Sequence, residues 1–492
     1  MAIDRLDAII IGANVEGLFA AVELARAGRQ IAVLERHPIE AAAGEGRDAV
    51  VSVAAVRELN LSQHGLRLAS APAVVGVTSD QALILWPDTQ AAQASIATVS
   101  PHDADAFENF RARIGRAVRS KSSAGMHSLT AWLLSANTLD EPPPEHILFR
   151  AAPLARWLNE FFDSEVLKGM LAQGALMGTA VSPHAPGSAV LLARQTGFAG
   201  DDTSRFVAGG DLELRRALLA TLKFYNNADI HFGADVSEIV AEREAVYSVR
   251  LTGGAVFAGS AVISTLGRER TGDLLAGGRQ AAGNVLPLQG AVKPAQVKFT
   301  VVSAPKLPGV DAATVASGAI VRLNPDIERL TRAHGAFRAH QVPQEPCLEF
   351  RVIPRQIADG IQRWEVFVSE LFIPAETSEG SWSGNRRERL VAHCMNAVEA
   401  LAPGFSASVE AAVLSHPKET QTVMDAKRRG QGGSNLQPES ATVPLAAPSI
   451  ADSILKGLIA IDTSMFEPAG EGGLLAAHSI GLNKRAKGQA DA

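Results

Sequence analysis

The chain has 492 residues, of which 47% are hydrophobic and 20% charged, an ordinary composition for a globular protein of two or three domains. Its 46 Lys and Arg against 52 Asp and Glu give a net charge of −6, so nothing in the charge balance indicates a nucleic-acid partner. The two cysteines, Cys347 and Cys394, predict neither a disulfide framework nor a zinc site, and they fit a cytoplasmic location. No apolar run is long enough to span a bilayer, although peripheral contact with a membrane stays open.

The N-terminus predicts one βαβ unit with parallel strands. "DAIIIG" is typical of a buried strand, "GLFAAVELARAG" of a helix, and "RQIAVLER" of a second strand. In the turn between the first strand and the helix, Gly12 and Gly17 occupy the outer glycine positions of G-x-G-x-x-G, but Asn14 replaces the middle one. Glu35 lies 18 residues after Gly17, near the end of the second strand, where a carboxylate can bind the ribose hydroxyls of a dinucleotide.

The substitution at Asn14 leaves two interpretations of this turn open. Asn tolerates a positive φ, so the tight bend can survive, but its side chain would occupy space that the phosphates need. The turn is therefore either a working dinucleotide site or a relic of the fold, in which Gly12, Gly17 and Glu35 bind nothing.

The rest of the chain predicts a helical segment followed by strands. Residues 100–178 are expected to be mainly helical, and "DEPPPE" at 140–145 and the glycine- and proline-rich residues 425–449 are expected to form linkers. "AVFAGSAVIST" is interpreted as a single strand. Further elements are predicted as a helix at 211–225, strands near 294–303, 347–353 and 363–373, a helix at 385–401, and a last strand at 457–462 before a last helix.

Three separated segments together resemble the phytoene-desaturase-like flavoproteins, the carotenoid and retinoid oxidoreductase branch of the flavin amine oxidase superfamily. They are the βαβ unit, the segment from "FVAGGDLELRRALLATL" to "AVFAGSAVIST", and the C-terminal "GLIAIDTSMFEPAGEGGLLAAHSIG". The resemblance is collinear over nearly the whole chain. It implies an α/β fold with a Rossmann-like FAD/NAD(P)-binding domain (residues 1–100, 195–290 and 450–492), interleaved with a sheet-plus-helix substrate or interaction domain (101–194 and 291–449).

The resemblance also implies a cofactor and a class of reaction. FAD would lie along the Rossmann-like domain and take a hydride from a hydrophobic or amine-bearing small molecule. The residues implied in cofactor contact are Gly12, Asn14, Gly17, Glu35, Arg36, Asp462, Gly470, Gly472 and Gly473. No catalytic residue and no metal site is predicted. His393 is interpreted as a surface or core residue of a helix, and His478, which aligns with a His of some family members, as a helix-packing residue.

Six glycines that approach the cofactor in this family are replaced here, by Asn14, Ala41, Ala42, Thr463, Met465 and Leu474. Each side chain added to a tightly packed site costs on the order of 1–3 kcal/mol. Several of these replacements together would weaken cofactor binding by about 10³-fold or more. The sequence therefore predicts that FAD is absent or substoichiometric, because Ala41, Ala42, Met465 and Leu474 narrow the groove.

Two functions are compatible with these residues. The first is an FAD-dependent oxidoreductase of the desaturase or dehydrogenase class that holds FAD in an unusual way. The second is a non-catalytic, cofactor-free subunit of an oligomer that pairs with a homologous flavoprotein. In the helical stretch 147–178, Trp157 and Phe161 share one apolar face, which either packs inside the chain or docks a homologous subunit or a bilayer surface.

Overall fold

The computed structural model describes most of the chain. The described residues are 5–37, 49–118, 149, 151–194, 204–242, 245–275, 295–356, 362–374, 376–380, 382, 384–415, 458–461, 473–474 and 476–477. The two predicted linkers lie outside these residues, and so do Asp462, Gly470 and Gly472.

The strands of the described residues form four sheets. In chain order they are β1 (Ala8–Ile11), β2 (Ile31–Glu35), β3 (Val50–Ser52), β4 (Leu68–Ala69), β5 (Val74–Val77), β6 (Ala82–Leu85), β7 (Ser204–Val207), β8 (Ala228–Phe232), β9 (Val236–Glu242), β10 (Ala245–Leu251), β11 (Val256–Ala258), β12 (Val262–Ser264), β13 (Ala295–Val301), β14 (Ile320–Leu323), β15 (Leu348–Gln356), β16 (Gln362–Glu370), β17 (Val409–Ser415) and β18 (Leu458–Ala460).

The helices flank these sheets. In chain order they are α1 (Val15–Arg26), α2 (Val53–Glu58), α3 (Thr89–Ala97), α4 (Pro101–Val118), α5 (Leu154–Asn159), α6 (Glu165–Leu176), α7 (Gly210–Leu222), α8 (Arg268–Asp273), α9 (Ala312–Ala316), α10 (Ile327–Arg338), α11 (Asn385–Leu401) and α12 (Phe405–Ser408), with short 3-10 helices at Leu61–His64 and Ser188–Arg194. Within the described part of the chain, no helix is both long and apolar enough to cross a bilayer.

A five-stranded parallel sheet holds the N-terminal unit, in the order β18-β12-β1-β2-β8. Every residue of β1 and β2 is buried, as expected for parallel strands that are covered on both faces. The strands predicted at 7–12, 30–35 and 457–462 are β1, β2 and β18 of this one sheet, so that prediction is confirmed.

The segment "AVFAGSAVIST" forms two strands, so its interpretation as a single strand is wrong. β11 belongs to a three-stranded antiparallel sheet with β10 and β9, whereas β12 pairs with β1 in the parallel sheet. The chain changes sheets at Gly259, whose N–H bonds the carbonyl of Tyr247, and at Ser260, whose N–H bonds the carbonyl of Leu6. A Cβ at Gly259 would lie 2.8 Å from Cδ1 of Ile9, so the crossing leaves no room for a side chain.

A seven-stranded mixed sheet has the order β17-β13-β16-β15-β14-β5-β6. It contains the strands predicted near 294–303, 347–353 and 363–373, and helix α11 matches the helix predicted at 385–401. β5 pairs in parallel with β14 and antiparallel with β6. Residues 74–85 therefore lie in this second sheet, whereas the sequence boundaries group them with the Rossmann-like domain. The domain boundaries stay a prediction.

Helix α6 packs very closely against the seven-stranded sheet and the loop that follows β14. A Cβ at Gly169 would lie 2.2 Å from the backbone carbon of Pro325 and 2.4 Å from the nitrogen of Asp326. A Cβ at Gly174 would meet the guanidinium of Arg322 at 2.5 Å. Arg322 is itself buried and donates hydrogen bonds to Glu349 at 2.9 Å and to the carbonyl of Met170 at 2.7 Å. Glycine in this helix thus sets the distance between the helical layer and the sheet.

We expect Gly169→Ala to destabilise the fold by about 1–3 kcal/mol, because the new methyl group would overlap backbone that cannot rotate away. Gly335→Ala is the matched control, since Gly335 also lies inside a helix but nothing lies within 4 Å of its Cβ position. That control should be neutral or more stable by up to about 1 kcal/mol, from helix propensity alone. Urea unfolding of the two variants measures both changes, and equal midpoints would contradict the packing argument.

Candidate functional site: the first turn of the parallel sheet

The turn after β1 requires glycine at both ends for local reasons. Gly12 has φ of +99°, and a Cβ there would lie 2.3 Å from Oγ1 of Thr265. A Cβ at Gly17 would lie 2.1 Å from the carbonyl oxygen of Gly12. These two contacts bring helix α1 directly onto the strand, which is the packing that the glycine spacing predicts. They account for Gly12 and Gly17 without any ligand.

Asn14 is the N-cap of α1, and its backbone does not need a positive φ. Its φ is −75°, so the expectation that Asn14 survives by tolerating a left-handed bend is wrong, because the left-handed residue is Gly12. The side-chain Oδ1 accepts a hydrogen bond from the Gly17 N–H at 3.0 Å, and Nδ2 donates to the carbonyl of Thr265 at 3.3 Å. One of the free N–H groups at the helix terminus is therefore already bonded.

Glu16 places a carboxylate in the first turn of the same helix. The residue is 4% exposed, and its Oε2 accepts a hydrogen bond from the Gly473 N–H at 2.8 Å. The positive end of a helix dipole favours an anion there, which is the physical basis of phosphate binding at helix N-termini. Glu16 was not identified from the sequence, although an acidic residue inside G-x-G-x-x-G is a signal that points to it.

Glu35 lies at the end of β2, beside the turn, as predicted. Its Oε2 accepts from the Ala13 N–H at 2.7 Å, and its Oε1 accepts from the His37 N–H at 2.9 Å. Arg36, which was also expected to contact a cofactor, instead faces Asp235 at 3.6 Å across the surface. Each oxygen of Glu35 keeps a second lone pair, so the carboxylate could still accept a ribose hydroxyl.

Arg215 of helix α7 also reaches the turn and was not identified from the sequence. Its Nε donates to the carbonyl of Ala13 at 3.2 Å. Burial lowers the pKa of Arg215, and the carboxylates of Glu35 and Asp211 oppose that shift. The guanidinium therefore adds a positive charge beside Glu35. In the sequence Arg215 stands next to Arg216, and an Arg pair of this kind is more typical of a solvated helix face.

The C-terminal segment closes over helix α1. A Cβ at Gly473 would lie 2.0 Å from the carbonyl oxygen of Glu16 and 3.0 Å from the Ala20 nitrogen, so glycine is required at this contact. Leu474 is partly buried and packs against the apolar core around the parallel sheet, and its expected effect on a cofactor groove stays a prediction. The other replaced positions cannot be placed in the same way: Ala41, Ala42, Thr463 and Met465 lie outside the described residues, with Asp462, Gly470 and Gly472.

The turn fits the ribose of a dinucleotide better than its pyrophosphate. Glu35 stands where a ribose carboxylate is expected, but the helix terminus already holds the Asn14 amide and the Glu16 carboxylate. At an effective dielectric constant of about 20, two unit charges about 4 Å apart repel each other by roughly 4 kcal/mol. A pyrophosphate at this terminus would meet that repulsion and would find one N–H donor fewer. The described residues therefore do not fit the pyrophosphate of FAD in the usual position.

The aromatic stretch at 147–178 is buried in the chain's own core, so it offers no docking surface. It forms two helices, α5 and α6, and Trp157 and Phe162 are each 2% exposed. Phe110 of α4 packs edge-on against Phe161 and Phe162, with ring centroids 5.3 and 4.8 Å apart. The interpretation in which this face packs inside the chain is the correct one. A homologous subunit as partner stays a prediction, without this surface to support it.

The histidines form no cluster at the first turn. Within the described residues, the group with metal-ligand spacing is His102, Asp103 and Asp163, at the start of α4. Nδ1 of His102 lies 3.3 Å from Asp103 and 3.2 Å from Asp163, while Asp103 already accepts the backbone N–H groups of Asp163 and Ser164. These contacts join the start of α4 to the residues that precede α6.

Comparison with known proteins agrees with this architecture. The sequence matches no protein-family model. It is similar to the "Pyridine nucleotide-disulfide oxidoreductase domain-containing protein 2" of Mus musculus, with 29% identity over 230 residues that cover 38% of this chain and 40% of the mouse protein. The match thus spans less than half of the mouse relative. The Rattus norvegicus protein of the same name is 24% identical over 487 residues, covering 85% of this chain and 82% of the rat protein.

Solved structures share the fold at low identity. Cyclohexylamine oxidase from Brevibacterium oxydans is 12% identical with a TM-score of 0.53, over 98% of this chain and 100% of that chain. A putrescine oxidase variant redesigned in its cofactor binding is 12% identical with a TM-score of 0.51, over 99% of each chain. An oxidoreductase from Methanosarcina mazei is 13% identical with a TM-score of 0.52, over 96% of this chain and 99% of that one.

These matches confirm the predicted α/β fold, in which a parallel Rossmann-like sheet is combined with a mixed sheet as in FAD-dependent amine oxidases. The protein is thus oxidoreductase-like in fold, while the branch, the substrate and FAD binding stay predictions.

We expect Glu35→Gln to destabilise the protein by about 1.5–3 kcal/mol, because one of two charge-assisted hydrogen bonds to backbone N–H groups becomes a clash of donors. Glu58→Gln is the control, since Glu58 is exposed on α2 and the charge change is the same. Chemical unfolding monitored by circular dichroism measures the difference. If Glu35→Gln and Glu58→Gln have the same free energy of unfolding, the stability of the turn does not depend on the Glu35 carboxylate.

Proposed function

We propose that this protein is a non-catalytic, cofactor-free subunit with the fold of an FAD-dependent oxidoreductase, and that it pairs with a homologous flavin-bearing protein. The observation that carries the proposal is the helix terminus of the first turn. Asn14 bonds the Gly17 N–H, and the buried Glu16 carboxylate supplies the anion that the helix dipole favours. The turn is therefore stable without a pyrophosphate.

The fold does not need the cofactor to connect its segments. The Glu16 carboxylate binds the Gly473 N–H, and β18 pairs with β12 beside β1, so the C-terminal segment is fixed to the N-terminal unit by protein contacts. A chain of this kind can keep the surface of an oxidoreductase, and so its binding partners, without catalysing the reaction. The collinear segments quoted above support a place in the phytoene-desaturase-like branch, and a flavin-bearing member of that branch is the proposed partner.

A second candidate is an oxidoreductase that binds FAD in a shifted position and oxidises a hydrophobic or amine-bearing small molecule. The observation that favours it is Glu35, whose carboxylate stands at the end of β2 with the Arg215 guanidinium nearby. Glu35 would hold the ribose of FAD, and the flavin would supply the hydride chemistry when bound. The shared fold with oxidases of cyclohexylamine and putrescine supports an amine-bearing substrate for this candidate.

The flavin content of the purified protein separates the two candidates. We expect no flavin, or far less than one per chain, in the spectrum of the supernatant after denaturation. One flavin per chain would contradict the first candidate and favour the second.

We expect the double variant Asn14→Gly with Glu16→Ser to bind added FAD at least about tenfold more tightly than the natural chain, which corresponds to about 1.4 kcal/mol. The variant frees an N–H donor and removes a buried charge from the helix terminus. Glu58→Ser is the matched control for the loss of one carboxylate. Quenching of flavin fluorescence on titration gives the dissociation constants, and equal constants for variant and control would show that the turn does not limit binding.

The partner is tested independently of the flavin. A tagged chain expressed in its native host should co-purify with a homologous flavoprotein in a fixed ratio, and size-exclusion chromatography should show a complex larger than 51.6 kDa. A monomer that retains no flavoprotein would overturn the proposed pairing even if the chain binds no flavin.

A further inference from the structure

A fully buried carboxylate, Glu370, lies at the end of β16, and among the described residues no Lys or Arg pairs with it. Glu370 is 0% exposed, and its neighbours in the sheet are Ala295 of β13 and Leu348 of β15, which are both apolar and buried. Helix α11 covers this point and brings His393 and Cys394 to the carboxyl group. A carboxylate in such surroundings is costly unless a proton or a cation compensates it.

The contacts of Glu370 leave one oxygen and one ring nitrogen facing each other. The Cys394 thiol donates to Oε2 at 3.4 Å. Oε1 lies 3.6 Å from Nε2 of His393, and neither atom has a hydrogen-bond partner among the described residues although both are buried. Burial lowers the pKa of His393, so the ring is neutral, and a neutral ring with its proton on Nδ1 keeps a lone pair on Nε2.

We propose that Glu370 and His393 hold one proton between them, carried by the Glu370 carboxyl and directed at Nε2 of His393, and that this proton fastens helix α11 to the seven-stranded sheet. Two acceptors that are buried and face each other need a donor between them, and a small rotation of the Glu370 side chain brings the pair within hydrogen-bond distance. The neutral pair also avoids a separated charge inside the core.

The other titratable groups around the pair do not replace the proton. They are the thiols of Cys394 on α11 and Cys347 before β15, and burial raises the pKa of Cys347 to about 12 and that of Cys394 well above its ordinary value, so both stay neutral. Burial likewise raises the pKa of Glu370 to about 8 and lowers that of His393.

The raised pKa of Glu370 sets the direction of the pH dependence. In the closed structure helix α11 packs on the sheet, and in the open one it has separated from the sheet. A carboxyl group whose pKa is higher in the closed structure binds more protons there than in the open one. Its contribution to stability is complete below the ordinary value of 4.5 and is lost as the pH rises to about 8. We therefore expect α11 to loosen from the sheet as the pH rises through this window.

The accessibility of Cys394 measures this opening, because the thiol is buried under α11 beside the pair. Glu370→Gln keeps the shape of the protonated group, with an amide N–H₂ in place of the O–H, and cannot ionise. In the full chain, 4,4′-dithiodipyridine labels Cys394, and mass spectrometry of the Cys394 peptide gives the labelling rate. The quantity compared is the rate in the natural protein divided by the rate in Glu370→Gln. This ratio should rise by at least about tenfold between pH 6 and pH 8. The reactivity of the exposed thiol is common to both proteins and cancels in the ratio.

Glu388→Gln is the matched control, since Glu388 lies on the exposed side of the same helix and the charge change is identical. Its labelling rate relative to the natural protein should stay within about twofold over the same range. If the ratio of the labelling rate in the natural protein to that in Glu370→Gln also changes by less than about twofold between pH 6 and pH 8, the proposal is wrong.

A second measurement does not depend on whether Glu370→Gln folds. The infrared spectrum of the folded natural protein at pH 7 should contain the C=O band of a protonated carboxylic acid, which disappears at about pH 8, because exposed carboxyl groups are ionised far below pH 7. If that band is absent at pH 7, the proton is not on Glu370 and the proposal is wrong.

Discussion

The contact between helix α1 and strand β1 is the constraint on which the N-terminal half of the structure depends. The missing side chain of Gly17 allows the helix to meet the carbonyl of Gly12, and the missing side chain of Gly12 admits Thr265, the residue after β12. Glu35 then ties the turn to β2, and Glu16 ties α1 to the C-terminal segment. One turn thus connects three neighbouring strands of the parallel sheet with the end of the chain, and a side chain at either glycine would separate them.

Several polar groups of this turn are bonded by the protein itself. An open anion site leaves helix N–H groups unbonded until a ligand arrives, whereas here Asn14 bonds one of them and a carboxylate is held in the first turn. Arg215 and Glu35 bond the carbonyl and the N–H of the same residue, Ala13. A folded chain with these bonds has little to gain from a pyrophosphate, and for that reason the similarity in fold does not by itself carry over the cofactor chemistry.

The sequence predicts the frame of this fold well and its side-chain arrangement less well. Apolar runs and turn residues locate β1, α1 and β2, because strand and helix periodicities are local properties of the chain. The division of residues 255–265 between two sheets is not local, since it depends on the approach of Gly259 to Ile9. The same is true of Phe161 and Phe162, which follow α5 and pack against Phe110 of α4.

The candidate site shows the same limit. Counting lost glycines predicts that each new side chain points into the groove, but the Asn14 side chain turns back onto its own helix, and Leu474 packs in part against the core around the parallel sheet. Glu16 replaces no glycine, so that count does not identify it. What a substitution does to a ligand site depends on the partners that the new side chain finds, and those partners come from distant parts of the chain, here Gly473 and Thr265.

The carboxylates at the ends of β2 and β16 differ in their partners. Glu35 accepts two backbone N–H groups. Glu370 accepts one weak thiol donor and faces a ring nitrogen that has no hydrogen-bond partner among the described residues, and burial raises its pKa, so its neutral form is stabilised. Glu35 thus takes its hydrogen bonds from the backbone, whereas Glu370 depends on the proposed proton. If this chain responds to its chemical surroundings, the physical requirement for that response lies under helix α11 and not at the dinucleotide turn.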